Sequence, residues 1–126
     1  MSPVGVPQPP DSIDCSFSIG TEAGNAIIVS GQLKKYNVPV DQRHVVTCWL
    51  STDATGDVLS ADPGTLVVGT NGTILVESTA NLVFTVLTEP NGTFDINIGH
   101  VSTSGFYLNV ALPSGRVQTA PIAQFA

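Results

Sequence analysis

Residues 43–51 read RHVVTCWLS, and their side chains divide into two sets with a period of two. One set is Val46, Cys48 and Leu50, and the other is Val45, Thr47 and Trp49. β-Branched and aromatic residues in this alternation favour a β-strand. Because both sets are partly apolar, the pattern predicts either a central strand covered on both sides or a strand whose outer side meets a partner.

The same alternation recurs along the chain, beginning with Ile13 to Ile19. Further strands are predicted at residues 26–34, 66–68, 74–76, 82–88, 94–98 and 106–112, with a short edge strand after residue 116. Apolar residues do not recur at helical spacing over any stretch of about ten positions. The chain is therefore predicted to be all-β, an immunoglobulin-like two-sheet sandwich of seven to eight antiparallel strands.

Two Asn-Gly pairs, at residues 71–72 and 91–92, indicate tight turns. Asn-Gly tolerates the positive φ angles of a type I′ turn, so the first pair predicts a hairpin between residues 66–68 and 74–76. Each pair is followed by threonine, which also matches the acceptor pattern for N-glycosylation. Turn formation is the favoured interpretation, because residues 1–10 do not resemble a secretory signal peptide.

Residues 1–12 differ in composition from the rest of the chain, with four prolines and no basic residue. Closely spaced prolines remove amide donors and favour an extended polyproline-like backbone. The sequence predicts an extended N-terminal arm at residues 1–12. A single β-sandwich domain with a short C-terminal tail is predicted over residues 13–126, because 126 residues suit one domain of ordinary size.

Composition excludes several classes of protein. The hydrophobic fraction of 42% and the mean hydropathy of +0.27 predict a folded chain. Ten acidic residues against four basic ones give a net charge of −6, which disfavours binding to nucleic acid. No apolar run approaches the roughly 18 residues of a membrane-spanning helix, so no membrane partner is expected.

The residues that could carry chemistry occur without a recognisable motif. Cys15 and Cys48 lie within apolar alternations, which predicts reduced, buried thiols, with a disulfide between them as the alternative. His44 and His100 lie at strand ends, away from any serine or carboxylate at motif spacing. No nucleophile elbow, phosphate-binding loop or zinc motif is present. We therefore expect no catalytic residue, no cofactor and no enzymatic activity.

Three aspartates, Asp53, Asp57 and Asp62, lie in the long interval between the strands at residues 43–51 and 66–68. Calcium needs several oxygen ligands that converge on one point, but these spacings differ from an EF-hand loop. Aspartates that form turns are the favoured interpretation, and no metal site is predicted.

Candidate contact residues are apolar or aromatic side chains that the core does not require. Trp49 and Phe106 are predicted to pack in the core, whereas Tyr107 and Phe125 fall outside the main alternation, and exposed aromatic residues are enriched at interfaces. Prolines and valines of the arm and apolar residues of the tail complete the set. The predicted partner-binding residues are Pro3, Val4, Val6, Pro7, Pro9, Pro10, Tyr107, Ile122 and Phe125.

Three segments carry a resemblance to a known group of domains: residues 26–51, TEPNGTF at residues 88–94, and YLNV at residues 107–110. Together they resemble immunoglobulin-like modules of bacterial surface proteins and of tailed-phage virion proteins. Within that group, the proline-rich arm and the Ser/Thr/Gly-rich composition are most similar to capsid decoration (cement) proteins.

The resemblance implies a non-enzymatic structural virion protein on the outer surface of a capsid, assembled in the host cytoplasm. Its implied partners are the major capsid protein or another virion protein, together with neighbouring copies in a symmetric homo-oligomer. Two alternatives remain open at this point. One is a secreted or cell-surface adhesin or carbohydrate-binding module, and the other is a structural protein of a phage tail or baseplate.

Overall fold

A computed structural model of the chain describes residues 13–100, 106–112 and 116–122. Over these residues the backbone forms ten β-strands and no helix. In chain order the strands are β1 (Ile13–Ile19), β2 (Ala26–Lys35), β3 (Val38–Pro39), β4 (Val45–Ser51), β5 (Gly64–Val68), β6 (Thr73–Thr79), β7 (Val83–Leu87), β8 (Thr93–His100), β9 (Phe106–Ala111) and β10 (Val117–Ile122).

The strands form two antiparallel sheets. The first sheet has the order β1-β2-β8-β5, with the short β3 also paired to β2, and the second sheet has the order β10-β9-β4-β7-β6. The predicted all-β, two-sheet sandwich is confirmed. Strand β4 is the middle strand of the second sheet, as expected from apolar residues on both of its sides.

A single apolar core lies between the two sheets, and most strands contribute residues to it, whereas β6 adds only the partly buried Ile74. Its largest fully buried side chains include Phe94 from the first sheet and Phe84 from the second. The ring of Phe94 lies over Gly31 on the neighbouring strand β2, where a side chain would occupy the same space. Glycine at this strand position therefore allows an aromatic ring to pack against the backbone.

The number of strands exceeds the predicted seven to eight. No strand is predicted at residues 37–42, but Val38 and Pro39 pair with Lys35 and Lys34 and extend the first sheet. The C-terminal edge strand β10 includes Pro121. Proline is tolerated there because β10 is an edge strand, with β9 on one side only.

The predicted hairpin around Asn71-Gly72 is wrong. Strand β5 pairs with β8 in the first sheet, whereas β6 pairs with β7 in the second, so residues 69–72 connect the two sheets. Only Gly72 has a positive φ angle, of 90°, whereas a type I′ turn needs two such residues. The side-chain amide of Asn71 instead donates to Asp95 Oδ2 at 3.0 Å, and the backbone amide of Gly72 donates to Glu89 Oε2 at 2.9 Å.

Candidate interaction surface

The two sheets present outer faces of different chemistry. Residues paired across the first sheet place Asp14, Lys34 and Asp95 on its outer face, among several serines. Ile28 and Val67 are exposed there as well, and both pair with Asn97, which lies between them. This face resembles an ordinary solvated surface.

The outer face of the second sheet contains no charged residue among those the structure describes, and we refer to it as the uncharged face. The strand registers place its residues side by side across all five strands. They are Val45, Thr47, Trp49, Thr73, Val76, Thr79, Val83, Thr85, Leu87, Tyr107, Asn109, Ala111, Val117, Thr119 and Pro121. Most of them are valine, threonine or aromatic.

Several apolar side chains of the uncharged face are open to solvent. Val45 is 51% exposed, Val76 is 58% exposed and Val117 is 47% exposed. These three positions lie on β4, β6 and β10, so exposed valines occur on the middle strand and on both edge strands, with Thr47 and Thr85 between them. A broad apolar surface without charge is characteristic of a site that another molecule covers.

The loop after β4 closes one end of this face. Trp49 Nε1 donates a hydrogen bond of 2.9 Å to the carbonyl oxygen of Gly56, which brings the loop over the strand. Gly56 has a φ of 79°, and a Cβ atom there would lie 2.7 Å from Asn109 Oδ1. Glycine thus provides both the left-handed backbone and the close approach to the sheet.

The aspartates of this loop stabilise its turns, as the sequence predicts. The Asp53 carboxylate accepts hydrogen bonds from the Thr55 hydroxyl and from the amides of Val58 (3.0 Å) and Asp57 (3.2 Å). The bond from Thr55 is the main reason that the pKa of Asp53 lies below its usual value. Asp62 likewise accepts a bond of 2.8 Å from the Gly64 amide.

A buried polar side chain connects the strands beneath the loop. Asn109 is fully buried, and its amide group donates to Ser51 Oγ at 2.9 Å and to the carbonyl oxygen of Trp49 at 3.2 Å. Its Oδ1 accepts a bond of 2.7 Å from the hydroxyl of Thr119 on β10. A buried amide with all these partners holds β4, β9 and β10 in one arrangement.

Replacing Asn109 with alanine is expected to lower the free energy of unfolding by about 1–3 kcal/mol, because the groups around it would lose their partner while still shielded from water. Urea unfolding followed by circular dichroism measures this loss. Asn97→Ala provides a matched control on the outer face of the first sheet, and we expect only a small change there. Equal losses in the two variants would contradict a stabilising role for the Asn109 network.

Both cysteines are free and buried, which confirms the predicted reduced thiols. Cys15 lies on β1 in the first sheet and Cys48 on β4 in the second, and both side chains belong to the core. Burial raises the pKa of the Cys15 thiol to about 12 and raises the pKa of Cys48 as well. Neither thiol is therefore in the reactive thiolate form at neutral pH.

Each histidine contacts a neighbouring segment of the chain. His100 Nδ1 lies 2.8 Å from the carbonyl oxygen of Pro63, and its ring packs edge-on against Phe106 at a centroid distance of 4.9 Å. His44 lies at the start of β4, where its carbonyl oxygen accepts a bond of 2.9 Å from the Thr88 amide. These contacts connect the ends of strands to neighbouring segments.

The predicted contact residues have different outcomes. Tyr107 is half-buried and belongs to the uncharged face. Ile122 is only 6% exposed and packs in the core opposite Phe106, so its prediction as a surface anchor is not supported by its burial. The remaining predicted contacts, which are the residues of the arm and Phe125, lie outside the described residues. Phe106 is buried as predicted, whereas Trp49 is only partly buried.

Sequence reasoning missed most of the uncharged face. Thr85 and Leu87 on β7 are examples, since they sit on the sheet side that the apolar alternation assigns to solvent. The only signal in the sequence was the lack of charged residues at outward strand positions. The outward positions of β4, β7 and β9 lack charged residues, although most outward positions of β1 and β2 are polar or charged.

In the parts of the chain that the structure describes, no group of three or more His, Cys, Asp or Glu side chains is placed to hold a metal ion. The same residues include no helix with the length and apolarity that a membrane crossing requires.

Comparison with known proteins assigns the chain to no family. No family model matches the chain, and no curated protein shows significant similarity to it. Among solved structures, it is similar to a GH20 exo-β-N-acetylglucosaminidase from Vibrio harveyi in complex with N-acetylglucosamine, with 9% identity and a TM-score of 0.37 over 89% of this chain and 18% of that chain. It is also similar to the GAE domain of GGA2p from Saccharomyces cerevisiae, with 11% identity and a TM-score of 0.32 over 96% of this chain and 95% of that chain. Similarities this distant carry no inference about activity or partners.

Proposed function

We propose that the protein is a non-enzymatic structural module that binds a protein surface through its uncharged face. The observation that carries the proposal is the extent of this face, which crosses five strands without a charged side chain. Covering it transfers valine, threonine and aromatic surface out of water. Each Å² of apolar area removed from water contributes roughly 25 cal/mol, before the costs of association are subtracted.

The distribution of charge supports contact through the uncharged face and not through the outer face of the first sheet. Among the described residues, charged side chains include Asp14, Lys34 and Asp95 on the outer face of the first sheet, and Asp53 and Asp57 in the loop that closes one end of the uncharged face. Charged residues are depleted at the centres of protein interfaces, because burying them requires desolvation. The uncharged face is thus the outer sheet surface that a partner can cover at the lower cost, and the first sheet faces solvent.

For the partner, we propose the outer surface of a virus capsid, in line with the resemblance of the sequence to capsid decoration proteins. The protein then contacts the major capsid protein or another virion protein and forms symmetric homo-oligomers on the shell. The N-terminal arm and the C-terminal tail add contacts to the capsid or to neighbouring copies. This role requires no catalytic residue and no cofactor.

Rebinding to virions tests the proposal. Virions are prepared from a viral genome that lacks the coding sequence of this chain, mixed with purified protein and sedimented. We expect saturable binding of the unaltered protein. Thr47→Lys should weaken binding roughly tenfold or more, because it places an unpaired charge beside Thr85 in the middle of the uncharged face.

The matched control is Ser30→Lys, which places the same charge on the outer face of the first sheet. Ser30 and Thr47 are both half-buried strand residues, so the two variants perturb the sandwich to a similar degree. We expect the Ser30 variant to bind as the unaltered protein does. If neither variant nor the unaltered protein binds, the virion role is excluded. If Thr47→Lys binds fully, the uncharged face is excluded as the contact.

A further inference from the structure

A groove of about 470 Å³ lies at the end of the first sheet where β2 turns into β3. Ile13, Lys35, Tyr36, Val38, Pro39 and Val40 form most of its lining. Tyr36 is 61% exposed and Val38 is 62% exposed, so an aromatic ring and an apolar side chain are both open to solvent at this point.

The turn that holds Tyr36 is unusual in its sequence. Tyr36 has a φ of 53° and Asn37 a φ of 64°, so both central residues of the β2–β3 hairpin adopt the left-handed conformation of a type I′ turn. Asparagine and glycine accept this conformation readily, whereas a bulky tyrosine rarely does. A strained, exposed aromatic residue at the tip of a hairpin is more readily explained by a contact that it makes than by the needs of the turn.

The first residue of β1 lies at this groove. Ile13 lines the groove and pairs with Lys35, so β1 begins at the groove. Only Asp11 and Ser12 separate Ile13 from the PQPP sequence at residues 7–10. Proline-rich segments in the polyproline II conformation dock in grooves lined by aromatic residues. A short tether also gives the segment a high effective concentration at the groove.

We propose that the PQPP segment, residues 7–10, docks in this groove of its own chain, against Tyr36 and Val38. The contact fixes the direction in which the first six residues leave the domain. Because it forms within one chain, it does not depend on a capsid or on the uncharged face.

Paramagnetic NMR on the full chain tests this contact. A nitroxide spin label is attached to a Gln8→Cys variant, and the buried Cys15 and Cys48 remain unlabelled because neither is accessible or in the thiolate form. In the ¹⁵N-labelled protein we expect strong broadening of the amide signals of Tyr36 and Val38. The signal of Thr85, on the outer face of the other sheet, should keep its width.

Two comparisons identify the occupant of the groove. Unlabelled protein that carries the nitroxide is mixed with ¹⁵N-labelled protein that lacks it, and no broadening is expected in this mixture. Broadening in the mixture would show that the segment of a second copy fills the groove, and it would overturn the proposal. Unchanged Tyr36 and Val38 signals in the singly labelled chain would overturn it as well.

A pair of turn variants separates the aromatic contact from the shape of the hairpin. Tyr36→Asn keeps a residue that accepts a positive φ but removes the ring, and we expect the broadening at Val38 to be lost. Asn37→Gly keeps the ring in an equally tolerant turn, and the broadening should remain. Persistent broadening in Tyr36→Asn would exclude the ring as the docking contact.

Discussion

Replacing Gly31 with alanine is expected to lower the free energy of unfolding by about 3 kcal/mol, near the upper end of the usual cost of overpacking a core. A Cβ atom at this position would lie 2.5 Å from Cε1 and 2.9 Å from Cε2 of Phe94, and closer still to Cζ. Phe94 is fully buried, so its ring cannot move without displacing other core side chains. The φ of Gly31 is not positive, so the cost arises from packing and not from backbone conformation.

A double-mutant cycle isolates this contact. Phe94→Leu alone is expected to destabilise the protein because it leaves a cavity, but it also opens space above residue 31. In the double variant Gly31→Ala/Phe94→Leu, the loss should be smaller than the sum of the single losses by 0.5–3 kcal/mol. Chemical unfolding at equilibrium gives all four free energies. Strictly additive losses would contradict the steric account, and Ser30→Ala provides a control for a change at the neighbouring position.

The layered architecture could be predicted from sequence because alternation is a local property. Val46, Cys48 and Leu50 on one side of β4 specify a buried face whatever strand lies beside them. Apolar residues on its other side predicted either a central strand covered on both sides or a strand whose outer side meets a partner, and β4 is the middle strand of the second sheet. The turn-forming aspartates and the buried thiols followed from the same kind of local reasoning.

The pairing of strands could not be predicted in this way. Residues 69–72 have the composition of a hairpin, but β5 pairs with β8 and β6 pairs with β7, across separations that local sequence does not encode. Tertiary contacts therefore decided the outcome, such as the bonds from Asn71 to Asp95. The uncharged face could not be predicted for the same reason, since it becomes continuous only after five distant strands lie side by side. The buried Asn109 could not be distinguished from a solvated asparagine for this reason.

Raising the pH from about 8 to about 10 is expected to lower the free energy of unfolding by roughly 3 kcal/mol through the two cysteines alone. Desolvation by burial raises the pKa of Cys15 from its ordinary value of 9.0 to about 12, against an opposing effect of a backbone hydrogen bond at Gln32. Burial also raises the pKa of Cys48, and the nearby Cys15 adds to this effect. The folded chain therefore keeps both thiol protons in a range of pH where the unfolded chain loses them.

The sign of the effect follows from this difference in bound protons. Below about pH 9 both states are protonated and the contribution of the thiols to stability is complete; it is lost as the pH rises from about 9 toward about 12. Each pH unit above the unfolded pKa removes about 1.4 kcal/mol per thiol.

Urea unfolding at several pH values, in the unaltered protein and in Cys15→Ala/Cys48→Ala, measures the slope. All other groups are the same in both proteins, so only the difference between the slopes belongs to the thiols. Identical slopes would mean that Cys15 and Cys48 ionise in the folded chain as readily as in the unfolded one, which is incompatible with their burial between the two sheets.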